Sequence, residues 1–194
     1  MKKSNIILSG VGGQGILTIA AVISVAALNE NLFIKQAEVH GMSQRGGAVQ
    51  SHLRIAEKYV SSDLIPLGKA DIILSVEPVE SLRYLPYLKS KGSLVTNSTP
   101  FINVPDYPDP EAVYDEIKKI PRHIIVDADR IAREIGAPRS SNIVMLGAAS
   151  SFLCVKFSSL EKGIQQIFAR KGEEMVIANL EAFRAGREYA DKQR

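Results

Sequence analysis

The sequence predicts an α/β fold, with a mainly parallel, Rossmann-like sheet, helices on both of its faces and a helical C-terminal third. Short apolar runs rich in β-branched residues alternate with helical segments through the first two thirds of the chain. This alternation is typical of parallel strands joined by crossover helices. From Asn142 onward only helical patterns occur. Because no repeat, low-complexity tract or boundary interrupts the pattern, we expect residues 1–194 to form a single domain.

Strands are predicted where a short apolar run lies between turn signals. The run at 71–76 is the clearest central strand, because it is almost wholly apolar, as a strand covered on both faces should be. The predicted strands span residues 5–9, 32–37, 48–55, 71–76, 93–96 and 124–127.

Helices are predicted from apolar periodicity and from the residues that begin and end them. The first helix is almost wholly apolar or small, so it should be buried on most sides. Glu77-Pro78 begins another, because a proline at an early helical position loses little by lacking an N–H, and Lys91-Gly92 is expected to end it. The predicted helices span residues 14–29, 77–91, 129–135, 143–157, 159–169 and 173–190.

The connections carry proline and polar residues. Residues 100–110 contain four prolines and are predicted to form an irregular surface excursion. Asp127 precedes a helix and is expected to cap it rather than to share a metal with Asp129. Asn142 is expected to cap the next helix or to point into a cavity, while the small residues after it indicate close helix packing, within the domain or against a partner.

Composition excludes several classes of protein. The formal charge is only +3, and lysine and arginine are spread along the sequence, so we expect no nucleic-acid partner. No apolar segment reaches the roughly 20 residues of a membrane span, and the start does not resemble a signal peptide. A cytoplasmic location is expected. The single cysteine, Cys154, cannot hold an iron-sulfur cluster alone and is predicted to be a small buried residue.

Residues 10–15 follow the first strand, open the first helix and satisfy the pattern G-x-G-x-x-G. Glycines let the backbone approach a phosphate, and the N–H groups of the helix N-terminus supply hydrogen-bond donors to it. The same glycines are also consistent with a tight turn that binds nothing. The candidate cofactor-binding residues of this loop are Gly10, Gly12, Gly13, Gln14 and Gly15.

Residues 36–47 end the second strand and continue beyond it as a second loop, so they should lie at the carboxyl edge of the sheet beside the glycine loop. Arg45 suits a carboxylate or phosphate ligand, or it pairs with Glu38 to brace the loop. His40 is a candidate for proton exchange near neutral pH, or a scaffold residue; no other catalytic residue and no metal ligand is assigned. The candidate binding residues here are Glu38, Arg45, Gly46 and Gly47.

Five segments follow one another over nearly the whole chain: GVGGQG at 10–15, EVHGMSQRGG at 38–47, GKADIILSVEP at 68–78, LPYLKSKG at 85–92 and SNIVMLGA at 141–148. Together and in this order they resemble the gamma-type subunit of 2-oxoacid:ferredoxin oxidoreductases. The segment at 38–47 resembles that of the small (beta) subunit of indolepyruvate ferredoxin oxidoreductase.

The resemblance implies a division of labour between two chains. A larger partner subunit would hold thiamine diphosphate, Mg²⁺ and [4Fe-4S] clusters, and electrons would pass through the complex to ferredoxin. This chain would hold none of these groups, would complete the active site, and would contribute to coenzyme A binding through residues 10–15 and 45–47. Alone it would be inactive.

Two other functions remain open from the sequence. A stand-alone Rossmann-type NAD(P) oxidoreductase or sensor would use Glu38 on the ribose hydroxyls, although no residues for hydride transfer are visible. An assembly module would use the glycine loop only as a turn. The 2-oxoacid, the stoichiometry and any dimerisation of the lone chain are not predicted.

Overall fold

A computed structural model describes residues 2–40, 46–102 and 105–193, with the side chain of His40 also outside the description. Their centre is a six-stranded sheet of order β2-β3-β1-β4-β5-β6. Each of the six predicted strands overlaps an observed one, and the α/β prediction is confirmed. The strands are β1 (Lys3–Val11), β2 (Phe33–His40), β3 (Ala48–Ala56), β4 (Ala70–Ser75), β5 (Leu88–Asn97) and β6 (His123–Val126).

The sheet is parallel except at one strand. β1, β4, β5 and β6 pair in parallel, whereas β3 lies antiparallel between β1 and β2. Only seven residues, 41–47, connect β2 to β3, whereas parallel strands need a crossover of a dozen residues or more. The short second loop therefore dictates this antiparallel pairing.

Helices cover both faces of the sheet, as predicted. One face carries the larger core, in which Ile6, Leu8 and Leu74 pack against five of the helices, including the C-terminal ones. The other carries a smaller core around Ile7 and Ile73, with two short helices. The helices are α1 (Ile16–Asn29), α2 (Pro78–Arg83), α3 (Pro110–Lys118), α4 (Ala128–Glu134), α5 (Ser141–Ala149), α6 (Phe157–Phe168) and α7 (Glu173–Lys192).

Two predicted helices were too long. α2 ends at Arg83, a 3₁₀ turn with Pro86 follows, and residues 88–92 already belong to β5, so Lys91-Gly92 ends no helix. α5 ends at Ala149, because the Ser150 hydroxyl donates to the Gly147 carbonyl at 2.6 Å and a 3₁₀ turn takes over. At both helix ends a local residue stops the helix, although the apolar pattern of the sequence continues beyond it.

The small residues of α5 pack within the domain, against α7. A Cβ added at Gly147 would overlap the carbonyl oxygen of Phe183, and one added at Gly186 would overlap that of Val144. The two glycines thus let the helix backbones touch in a reciprocal way. This contact fixes α5, whose N-terminus lies at the carboxyl edge of the sheet.

The structure confirms the prediction for Asp127 and corrects the one for Cys154. The Asp127 side chain caps α4 by accepting from the Arg130 N–H at 3.0 Å, as predicted. Cys154 is half-buried against the larger core rather than fully buried, and its burial raises the pKa of the thiol.

Candidate functional site

The glycine loop is a compact turn between β1 and α1. A Cβ at Gly10 would overlap the Val76 side chain that follows β4. Gly15 has a φ of 80°, and a Cβ there would lie 2.5 Å from Asn142 Nδ2. Both positions therefore require glycine for packing and backbone conformation, whatever the loop binds.

Gln14 braces this loop. Its Oε1 accepts from the Val11 N–H at 2.7 Å, and its Nε2 donates to the Val76 carbonyl at 3.4 Å. The side chain thereby ties the end of β1 to the end of β4, where connections leave to opposite faces of the sheet. Such a switch point at the carboxyl ends of parallel strands is where open α/β sheets bind ligands.

The second loop adjoins the first, as the sequence predicts. The Gly12 N–H donates to the Gly47 carbonyl at 2.9 Å, and Gly46 has a φ of 79°, in the left-handed region that favours glycine. His40 ends β2 at the same edge of the sheet. Arg45 lies outside the described residues, as do positions 41–44.

Glu38 is placed differently from the acidic residue of a dinucleotide fold. It is exposed on β2, where Gln36 Nε2 donates to its carboxylate. β3 separates β2 from β1, whereas a dinucleotide fold places the strand bearing its ribose-binding acid next to the first strand. This topology argues against the NAD(P) alternative.

A cavity of 520 Å³ opens beside the glycine loop, between the N-termini of α1 and α5. The Asn142 Nδ2 donates to the Gly15 carbonyl at 3.2 Å and so joins the two helix ends. Asn142 lies in the first turn of α5 and makes no cap, because Ser140 precedes the helix there. Its predicted capping role is wrong, and its alternative placement at a cavity is confirmed.

The charges around this cavity favour an anion. Arg139 and Lys171 line it, and neither α1 nor α5 has an acidic residue in its first turn. The Lys171 ammonium lies 5.2 Å from the centre of the Phe168 ring, which also lines the cavity. Two helix N-termini and two cations therefore share one opening, a combination that suits phosphate groups.

A second cavity of 380 Å³ shares Gln14, Ser141 and Asn142 with the first and extends over the ends of β4 and β5. Asn97, at the end of β5, accepts from the Ala128 N–H at 3.1 Å and donates to the Asp129 carboxylate at 2.9 Å. Its lining mixes polar side chains with the apolar groups Val76, Pro100, Phe101 and Met145. The two cavities therefore adjoin at the three residues that they share along the carboxyl edge, and each has the size of a small-molecule site.

The buried carboxylate of Glu77 holds one wall of the second cavity. Glu77 is 1% exposed, and its Oε2 accepts from the Glu80 N–H at 2.8 Å, which caps α2. Its Oε1 accepts from the Phe101 N–H at 3.3 Å and from the Tyr107 hydroxyl. Burial, and then the neighbouring Glu77 carboxylate, raise the pKa of the Tyr107 phenol well above its ordinary value. One side chain thus anchors the predicted surface excursion at two points.

Sequence reasoning missed four residues of this edge: Arg139, Lys171, Asn97 and Glu77. The first two come from loops before α5 and α7, far apart in the chain, and no spacing relates them. Glu77 did carry a local signal, because a carboxylate before Pro78 is typical of a helix cap, but its two long-range partners follow only from the tertiary fold.

Within the described residues, no group of three or more His, Cys, Asp or Glu side chains is arranged to hold a metal ion. In the same part of the chain, no helix combines the length and apolar character that crossing a bilayer requires.

Comparison with known proteins assigns the chain to a family. Residues 5–189 match the family described as pyruvate ferredoxin/flavodoxin oxidoreductase, and the chain belongs to that family. It is similar to the indolepyruvate oxidoreductase subunit IorB of Thermococcus kodakarensis, at 39% identity over 199 residues, with 96% of this chain and 95% of the relative covered. The subunit of the same name from Pyrococcus horikoshii is 42% identical over 160 residues, covering 76% of this chain and 77% of the relative.

The same fold occurs in the 2-oxoglutarate:ferredoxin oxidoreductase from Magnetococcus marinus, whose structure contains 2-oxoglutarate, coenzyme A and succinyl-CoA. The TM-score is 0.78 at 22% sequence identity. The match covers 99% of this chain but 32% of that one, so this chain spans about a third of the larger protein's length.

Proposed function

We propose that this chain is the small subunit of a 2-oxoacid:ferredoxin oxidoreductase of the indolepyruvate, or arylpyruvate, type. The assembled enzyme would oxidatively decarboxylate its 2-oxoacid to an acyl-CoA and pass electrons to ferredoxin in the cytoplasm. Family membership supports the reaction class. The names of the two relatives at 39% and 42% identity support the aryl substrate.

The thiamine diphosphate, Mg²⁺ and [4Fe-4S] clusters belong, in this proposal, to the large partner subunit. A cluster normally takes four thiolates, and this chain has one cysteine. The cofactors on the partner would supply the carbanion chemistry and the electron path. The role of this chain is to bind and orient a substrate at the carboxyl edge of its sheet.

The observation that carries the proposal is the cavity between the N-termini of α1 and α5, with Arg139 and Lys171 in its lining. Coenzyme A carries several phosphate oxygens, and helix N–H donors together with guanidinium and ammonium groups bind such oxygens. Residues 10–15 would form the floor under the phosphates. Residues 45–47 and the carboxyl end of β2, with Glu38 and His40, would approach from the adjoining loop. The adjoining second cavity would give room for the rest of the ligand.

The test uses the complex rather than the lone chain. The chain is co-expressed with its large subunit and purified anaerobically, and coenzyme A-dependent viologen reduction is measured with several 2-oxoacids. We expect activity only when both chains are present, and the highest kcat/KM with indolepyruvate or phenylpyruvate. Activity that is indifferent to this chain would overturn the subunit assignment, and a preference for pyruvate would overturn the aryl one.

Arg139→Gln tests the coenzyme A site within the same complex. Removing one charge-assisted contact should raise the apparent KM for coenzyme A about tenfold and leave that for the 2-oxoacid unchanged. Arg170→Gln is the matched control, since Arg170 is an exposed cation next to Lys171 that does not line the cavity. Equal effects of the two substitutions would show that only general charge matters.

A further inference from the structure

A third cavity lies at the opposite, amino edge of the sheet. It has a volume of 560 Å³, which exceeds that of either carboxyl-edge cavity. It forms where β1, β4 and β5 begin, with β3 and the segment before β4 completing its wall. Its lining residues are Lys3, Asn5, Arg54, Pro66, Gly68, Lys69, Asp71, Lys89 and Ser90.

The charge of this cavity is strongly one-sided. Four of its nine lining residues are cationic and one is a carboxylate, so the formal excess of three positive charges equals the net charge of the whole chain. The cations are far apart in sequence and come together only through the sheet. Cations that are scattered along the sequence are thereby gathered around one concave site, which raises the local positive potential there.

The single carboxylate is already engaged. One Asp71 oxygen pairs with the Lys89 ammonium, and the other accepts from the Asn5 N–H at 2.7 Å. Lys3 and Lys69 form no ion pair with any residue in the described ranges. Their charge is thus left uncompensated at the rim of the cavity.

Arg54 is held in a fixed position inside the site. Its Nε donates to Asn5 Oδ1 at 3.2 Å, and its Nη1 donates to the carbonyls of Ser62 and Leu64 at 2.9 and 3.1 Å. Asn5, only 4% exposed, in turn donates to the Lys69 carbonyl at 3.0 Å. A guanidinium fixed in this way loses little conformational entropy when it binds a ligand.

We propose that this cavity binds a small, multiply charged phosphate compound. A fixed guanidinium surrounded by ammonium groups suits phosphate oxygens, and the volume is that of a small-molecule site. None of the described residues that line the cavity is aromatic, so none of them can stack on a nucleobase, and recognition rests on the phosphates. The ligand cannot be the same phosphate that the glycine loop would hold, because nine residues of β1 separate the two edges by roughly 25–30 Å.

The test is titration of the full-length chain with inorganic pyrophosphate at low ionic strength, followed by amide chemical shifts. We expect saturable shifts at Gly68 and Ser90, and these must be separated from any shifts at Gly13 and Gly15, where pyrophosphate would also meet the glycine loop. Arg139→Gln should weaken only the second set. If Gly68 and Ser90 do not respond, or respond linearly without saturation, the proposal is overturned.

Substitutions distinguish a specific binding site from a general attraction of anions by positive charge. The double variant Lys3→Gln/Lys69→Gln should weaken pyrophosphate binding at Gly68 roughly tenfold, because it removes the two unpaired cations of the rim. Lys162→Gln, at an exposed position of α6, is the matched control and should change nothing. Equal weakening by the control would contradict the proposal. So would saturable binding of an acidic peptide, such as hexaglutamate, in place of pyrophosphate, since that would make the cavity a protein contact.

Discussion

The two edges of the sheet gather positive charge by different means. At the carboxyl edge, Arg139 and Lys171 lie near the N-termini of α1 and α5, so both backbone N–H groups and side chains provide positive potential. At the amino edge, Arg54 and three lysines act without any helix N-terminus in the lining. The carboxyl-edge site adjoins a turn whose glycines are required by packing and backbone conformation, so that turn is visible in the sequence as a spacing pattern. The amino-edge site gives no local sequence pattern, because its lysines lie far apart in the chain and none of them is unusual by itself.

The two edges of the sheet are also stabilised by different contacts. The carboxyl edge depends on the packing of α5 against α7 and on the buried Glu77 carboxylate. The amino edge depends on hydrogen bonds of His52 and Arg54 to the segment 62–65. Substitutions in these supports should therefore affect one edge and spare the other.

Gly186→Ala should have the largest effect. Alanine ordinarily stabilises a helix interior relative to glycine, but here its Cβ would overlap the Val144 carbonyl, so we expect unfolding to become easier by about 3 kcal/mol. Urea unfolding measures the change. Glu188→Ala, at an exposed position of the same helix, is the control. An unchanged or raised stability would show that α5 and α7 can separate at little cost.

Glu77→Ala should come next. It leaves the Glu80 and Phe101 N–H groups and the Tyr107 hydroxyl without their acceptor, at a cost of about 2 kcal/mol. Hydrogen exchange at the Thr99, Phe101 and Ile102 amides should quicken, while exchange at the amino edge stays unchanged. Tyr107→Phe removes one donor and spares the carboxylate, so its effect should be smaller. If Glu77→Ala leaves exchange at Phe101 unchanged, the anchoring role is wrong.

The smallest effect is a pH dependence at the amino edge. Burial lowers the pKa of His52, and its Nδ1 accepts from the Ile65 N–H at 3.0 Å, while nearby Asp63 opposes the shift. As the pH falls, His52 is therefore protonated in the unfolded chain before it is protonated in the folded one. The contribution of neutral His52 is fully present above the unfolded pKa of about 6.5 and declines as the pH falls through it.

Ring titration by NMR, with urea unfolding at pH 7.5 and 5.5, tests this order of protonation. His52→Gln should flatten the loss of stability on acidification. A His52 ring that titrates at or above the ordinary histidine pKa would contradict the assignment.

Much of the fold follows from local patterns, and the exceptions have identifiable causes. The strands were found because apolar runs between turn signals leave few other structures open. Helix ends were misplaced at Arg83 and Ala149, where a proline turn and a serine hydroxyl act against the apolar pattern. The glycine loop was recognised from spacing, but Gln14 as its brace was not, since its Val76 partner lies 62 positions away.

The fold class, the approach of the two loops to one edge of the sheet and the family can all be inferred from the sequence. Each of these rests on residues close together in the chain or on the order of short motifs. Tertiary packing alone sets which cations share a cavity, because Arg139 and Lys171, and likewise Lys3 and Arg54, come from elements that sequence spacing does not relate. It also decided that Glu38 lies two strands from β1, since strand order depends on which faces must be buried together.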